Sequence, residues 1–286
     1  MTFIEALQQH DWLFYGLVIF VGLSVGSFLN VVIYRLPVMM ENDWRQQCTE
    51  FLELEDTAKE TKFSLATPAS TCPKCGHKIR AWENIPVISY LLLKGKCASC
   101  KTSISAEYPL IETITAIASI IIANHYGVSL QTLSALFFTW ALIALTMIDF
   151  HKQLLPDSIV FPLLWLGILI SLFDTFVNLQ TSVIGAMAGY LTLWSIYHLF
   201  KILTGKEGMG YGDFKLLAAL GAWMGWKMLP LIIVMSSFVG AIIGITMIVF
   251  VRHDKNVPIP FGPFLAIAGW IALIWGESIT SNWFYF

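Results

Sequence analysis

The chain has 286 residues, 57% of them hydrophobic and 13% charged, with a mean hydropathy of +0.70. Soluble domains run nearer to about half apolar and about a quarter charged, so this composition excludes an ordinary soluble protein and predicts a polytopic membrane protein. The net charge of −2 says nothing of partners, and no nucleic-acid partner is expected; the placement of the charges carries more.

The opening stretch MTFIEALQQHDW lacks a basic n-region, so no cleavable signal peptide is expected and the first apolar run stays as a helix. Apolar runs fall near 13–34, 109–125, 132–149, 158–177, 182–203, 214–226, 229–251 and 261–277. They predict an all-α membrane protein of about eight transmembrane helices. The sixth run is short, and Lys227 and Pro230 separate it from the seventh. Lysine and arginine orient the bundle. Sixteen of the seventeen basic residues follow the odd-numbered helices one, three, five and seven, and only Lys227 lies opposite. The bias predicts both termini outside and the long first loop in the cytoplasm. The chain then divides into a first transmembrane helix (1–35), a cytoplasmic loop (36–108) and a seven-helix membrane domain (109–286). No repeat, inverted or direct, is evident.

Within the loop, Cys72 and Cys75 of CPKCG face Cys97 and Cys100 of CASC, a C-x2-C-x21-C-x2-C spacing. Each pair can bend round a tight knuckle and aim two thiolates at one tetrahedral ion, with Zn–S near about 2.3 Å. Cytoplasmic thiols stay reduced, which favours a zinc-ribbon-like site over disulfides. Four thiolates complete the shell without His77, and Cys48 stands outside the pattern.

Acids at membrane depth are functional suspects. The candidates are Glu112, Asp149, Asp157, Asp174 and Asp213. Asp174 falls at the outer end of the fourth helix, and the others lie toward the cytoplasmic face. Asp149 ends the third helix in ALTMIDFHKQLLPD; Asp213 opens the sixth after the alternate glycines of GMGYGD. Two helix ends on one face can bring two carboxyls together. Each acid also has a plain structural use. Asp157 reads as an N-cap, Asp213 as another, and Glu112 as an acid snorkelling to the interface. Spacing does not choose between Asp149 and Asp157 as the partner of Asp213. A transporter using these acids as a proton relay is the alternative, although their clustering at one face argues against a mid-membrane path. No H-E-x-x-H zinc-protease motif is present, and the serines of GLSVGSF share a helix with Gly22 and Gly26, a packing face rather than a nucleophile site.

Several longer motifs occur in order: GSFLNVVIYRLP (26–37), CPKCGHKIRAWENIPVISYLLLKGKCASC (72–100), EYPLIE (107–112), DFHKQLLPD (149–157), GYGD (210–213) and PFGPFLA (260–266). With them the chain resembles the type 4 prepilin peptidases, bifunctional leader peptidase/N-methyltransferases of bacterial inner membranes and membrane aspartic proteases of the Gly-x-Gly-Asp kind. The resemblance implies that Asp149 and Asp213 are the catalytic pair, within a peptidase domain at 109–286, and that Cys72, Cys75, Cys97 and Cys100 bind one Zn2+. It implies prepilin and pseudopilin substrates, cut at the cytoplasmic membrane face and then methylated from S-adenosylmethionine, usually on phenylalanine. It departs from the family at Glu107, where Arg is usual before Tyr-Pro.

Overall fold

The structure, a computed structural model, describes residues 2–53, 63–206, 208–250 and 260–281, with only the helical backbone described for 247–250. Among them the fold is helical, with two isolated antiparallel bridges as its only β-pairing. It falls into two compact units, Met1–Val128 and Ser129–Phe286.

The first unit contains α1 (Phe3–Gln9), α2 (Asp11–Phe51), α3 (Ile88–Leu92) and α4 (Glu107–Tyr126). The first helix was expected to end near residue 35, but α2 runs through Pro37 to Phe51. The segment MMENDWRQQCTEF is rich in strong helix formers and has no glycine or β-branched run, so one proline does not end the helix. The added turns are largely exposed and carry their own local bonds, such as Gln46 to Glu50 at 3.0 Å. The remainder of the expected 36–108 loop holds the cysteine cluster and α3.

Helices α2 and α4 pack antiparallel through small residues. A Cβ on Gly22 would stand 3.0 Å from the Ala116 Cα, and one on Gly26 would stand 2.7 Å from the Glu112 Cα. Asn30, one turn further, donates to the Tyr108 carbonyl at 3.1 Å. Residues 22, 26 and 30 thus meet 116, 112 and 108 in one register, and the GLSVGSF glycines form the packing face expected of them.

The second unit contains α5 (Leu130–Lys152), α6 (Asp157–Ser171), α7 (Leu179–Thr204), α8 (Tyr211–Met224), α9 (Leu229–Phe250) and α10 (Gly262–Ser281). Among the described residues five helices are long and apolar enough to cross a membrane: Asp11–Phe51, Leu130–Lys152, Leu179–Thr204, Trp226–Thr246 and Gly262–Ser281. The chain is therefore a multi-pass membrane protein. Helix α8 has 14 residues, about 21 Å, against a hydrocarbon core of about 30 Å. It does not meet lipid on most sides. Residues 216–224 are all buried, held against α7 where the Gly185 and Gly221 backbones touch, and against α6 where Trp223 Nε1 donates to the Leu163 carbonyl at 2.8 Å. Gly225, at φ +76°, then ends the helix ahead of a 3-10 turn at Trp226–Met228, just before the Lys227 and Pro230 break read from the sequence.

Candidate active site and cysteine cluster

Burial sorts the acids. Among the described residues only four acidic or basic side chains are buried: Arg35 and Glu112 in the first unit, Asp149 and Asp213 in the second. Asp149 lies in the last turn of α5, where the negative end of the helix dipole disfavours a carboxylate. A second helix offsets this. Asp149 Oδ2 accepts the N–H of Gly262, the first residue of α10, at 3.0 Å. A Cβ on Gly262 would stand 2.6 Å from that same oxygen, so the carboxylate occupies the space a side chain needs.

Asp213 is the third residue of α8, one turn from its Gly210 cap, and its backbone N–H donates to the Gly210 carbonyl at 3.2 Å. Leu155 joins the two locales: its side chain abuts Gly212, 2.8 Å from where a Cβ would be, and Gly262, at 3.3 Å. Gly212 and Gly262 thus let three chain segments close around one leucine, which brings the helix ends carrying Asp149 and Asp213 together. Sequence reading gave neither Gly262 nor Leu155 a role. A glycine at the very start of an apolar helix, as in PFGPFLA, was the available sign.

Asp157 is different. It is the first residue of α6 and not its N-cap, which is Pro156 with no side-chain cap bond. Its exposed carboxylate is gripped by Lys215 Nζ at 2.8 and 2.9 Å, tying the start of α6 to α8. The structure therefore separates Asp149 from Asp157, a choice spacing left open. Asp174 sits in the turn after α6, at the end of that helix opposite Asp157. Glu112 does not snorkel: it is buried, and its Oε2 accepts the Val87 N–H at 2.7 Å. Glu107 begins α4, where an acid suits the helix dipole.

The four cysteines converge. Their sulfurs all lie within 4.8 Å of one another, with Cys72–Cys100 at 3.8 Å and Cys75–Cys97 at 4.0 Å. Four thiolates at about 2.3 Å from a tetrahedral zinc stand about 3.8 Å apart, so the set fits that ion. Each pair sits on the same kind of knuckle. Cys72 N–H donates to the His77 carbonyl at 2.9 Å, Cys97 N–H donates to that of Thr102 at 2.8 Å, and each knuckle turns through a left-handed residue, Gly76 and Lys101. The bridges Thr71–Lys78 and Lys96–Ser103 close the two hairpins. The Thr102 hydroxyl and backbone N–H lower the Cys100 thiol to about 6. Cys75 is pushed up to about 11: the His77 backbone N–H favours its thiolate, but desolvation and the three neighbouring sulfurs outweigh it. The neighbouring sulfurs favour the thiolates of Cys72 and Cys100 but oppose that of Cys75, a conflict a bound cation relieves. His77 is engaged elsewhere, with Glu83 at 3.0 Å, and the Arg80 backbone N–H and the imidazole hold that carboxylate below its ordinary range. Cys48 is exposed on α2, outside the cluster.

Residues 20–126 match the bacterial peptidase A24 N-terminal domain, and residues 136–245 match the type IV leader peptidase family. The chain is 54% identical over 286 residues to the prepilin leader peptidase/N-methyltransferase of Stutzerimonas stutzeri, spanning 100% of this chain and 99% of that one. The chain belongs to the type IV leader peptidase family. Family members of the same description in Pseudomonas aeruginosa and Legionella pneumophila are 52% and 43% identical, over 100% and 96% of this chain and 99% and 96% of theirs. No solved structure matches the chain. The two family matches divide where the structure does, between α4 and α5.

Proposed function

We propose that the chain cleaves the leader peptide of type 4 prepilins and type II secretion pseudopilins, then N-methylates the new N-terminal residue, usually phenylalanine. Full-length likeness to relatives described as prepilin leader peptidase/N-methyltransferases supports both activities. One observation carries the peptidase half: Asp149 and Asp213 are the only buried carboxyls of the second unit among the described residues, Asp149 accepting the first N–H of α10 and Asp213 lying in the first turn of α8.

Two carboxyls so placed share one proton, since ionising both in one site is unfavourable. The ionised member takes a proton from water, which attacks the scissile carbonyl. The protonated member donates to the carbonyl oxygen; as the C–N bond breaks, the member that took the proton of water passes it to the leaving amine, and the other recovers its proton from the tetrahedral hydroxyl. Gly210, with no neighbour nearer than 3.8 Å to where a Cβ would be, leaves the backbone one turn before Asp213 open to an extended peptide. Cys72, Cys75, Cys97 and Cys100 hold one zinc ion, which when bound ties the two knuckles into one body. S-adenosylmethionine, when bound, supplies the methyl group.

The five long apolar helices together with α4, α6 and α8 cross the bacterial inner membrane, with both termini periplasmic and the carboxyl pair near the cytoplasmic face; protein contacts make up for the shortness of α6 and α8. Incubating the purified chain with a synthetic prepilin, with and without S-adenosylmethionine, tests the reading. Cleavage without the donor and methylation only with it is the expected result. A chain that cleaves nothing while its zinc and helicity are intact would refute it.

A further inference from the structure

Glu112 is a buried acid that the leader-peptidase reading does not use, and its partner is unusual. Val87 has φ 59° and ψ −48°, a conformation a β-branched residue rarely adopts, and the Ile88 N–H closes a γ-turn onto the Pro86 carbonyl at 2.6 Å. The Glu112 carboxylate, in accepting the Val87 N–H, pins this turn to α4. The depth of that pin follows from the register of the two helices. Glu112 packs on Gly26, which lies nine residues before Arg35, the first basic residue of α2, or about 13 Å along the helix. It also lies five residues, about 7 Å, into α4 from Glu107. The turn is therefore fixed beside the apolar part of a membrane-crossing helix.

We propose that residues 85–93 form a short re-entrant segment embedded in the lipid leaflet on the side of the cysteine cluster, with α3 lying against acyl chains. Ile88, Leu91 and Leu92 recur at helical spacing on one face and are 53%, 67% and 77% exposed. A water-facing patch of this kind is unfavourable; a lipid-facing one is not. Most of the segment's backbone donors meet the stricter requirement that lipid imposes. The N–H groups of Val87, Ile88, Ser89, Leu91 and 93–96 all find acceptors inside the protein, Val87 through Glu112. The flanks carry the charge of a headgroup contact. Lys78, Arg80, Lys94 and Lys96 border the segment, Arg80 lies 5.2 Å over the ring of the exposed Trp82, and the one acid between them, Glu83, is taken by His77. A second copy of the chain seated on this face would set the same cations against each other. The inference rests on α2 crossing the membrane, not on either enzymatic activity.

The test uses the full chain in nanodiscs of phosphatidylethanolamine and phosphatidylglycerol. A benzophenone amino acid is placed singly at Leu91, Leu92, Phe20 (lipid-facing on α2) and Lys74 (on a knuckle), and photo-adducts are read by mass. Lipid adducts at Leu91 and Leu92 should match those at Phe20 and exceed those at Lys74 by on the order of tenfold, since acyl chains are confined to the bilayer. Adducts at Phe20 but none at Leu91 or Leu92 would overturn the proposal, as would crosslinks there to a second copy. Hydroxyl-radical footprinting of the unaltered chain gives an independent measure. Leu91 and Leu92 should be modified on the order of tenfold less than Leu52, which lies at the exposed end of α2, and equal modification would also overturn it.

Discussion

Gly262→Ala isolates the geometry of the carboxyl pair from its chemistry. An alanine Cβ would stand 2.6 Å from Asp149 Oδ2 and 3.1 Å from its Cγ, with the Leu155 Cδ2 at 3.3 Å blocking retreat on that side. Ordinary heavy-atom contact begins near about 3.5 Å, so the carboxylate must move by roughly 0.9 Å. It either turns away from Asp213 or loses the 3.0 Å bond from the Gly262 N–H. A misplacement of about 1 Å at a catalytic group costs about 10²-fold in rate, which is about 2.7 kcal/mol of barrier. Alanine is a better helix former than glycine, so α10 itself should be no weaker. The assay is single-turnover cleavage of a synthetic prepilin by the purified chain in nanodiscs, with methylation of a pre-cleaved pilin measured in parallel. We expect the cleavage rate constant to fall by about two orders of magnitude with methylation unchanged. If the variant cleaves within about threefold of the parent, the Gly262 contact does not set the pair's geometry and the reasoning fails.

Asp149→Asn and Asp213→Asn should each abolish cleavage by removing the proton the pair shares, with the double variant no worse than either single, as for residues acting as one unit; additive losses would refute the pairing. Asp157→Asn should leave cleavage largely intact, because what it removes is a part-exposed ion pair with Lys215 worth at most about 1 kcal/mol; thermal melting measures that loss, and abolished cleavage would return Asp157 to candidacy. Replacing Cys72 and Cys97 with Ser should release zinc and reduce methylation while sparing cleavage, read by metal analysis and the two product assays; equal loss of both activities in a folded variant would refute their separability. Zinc binding should displace protons at neutral pH, because thiols raised like Cys75 are protonated without metal, so affinity falls as pH falls; calorimetry in buffers of different ionisation enthalpy would show it, and the absence of proton release would count against thiolate ligation.

Local chemistry made much of this legible in one dimension. Apolar runs with basic residues biased to alternate loops signal a multi-pass helical chain, since each span must satisfy its backbone internally and fit a fixed thickness. Two C-x2-C knuckles announce one tetrahedral site because the ligand spacing is itself the geometry. Where α2 passes its expected end, the end of the apolar run suggested a stop near residue 35, and the helix formers after Pro37 carried the helix on to Phe51. The carboxyl pair was not readable in this way. Asp149, Asp157 and Asp213 look alike as acids at helix ends, and only packing buries two of them and leaves the third exposed on Lys215. Residues far apart in sequence made that choice. Gly262 reaches Asp149 across 113 positions, Leu155 fills the gap beside it, and Val87 meets Glu112 through a turn no propensity favours. Such contacts depend on helix register and on close approach of backbones, which only the assembled bundle fixes.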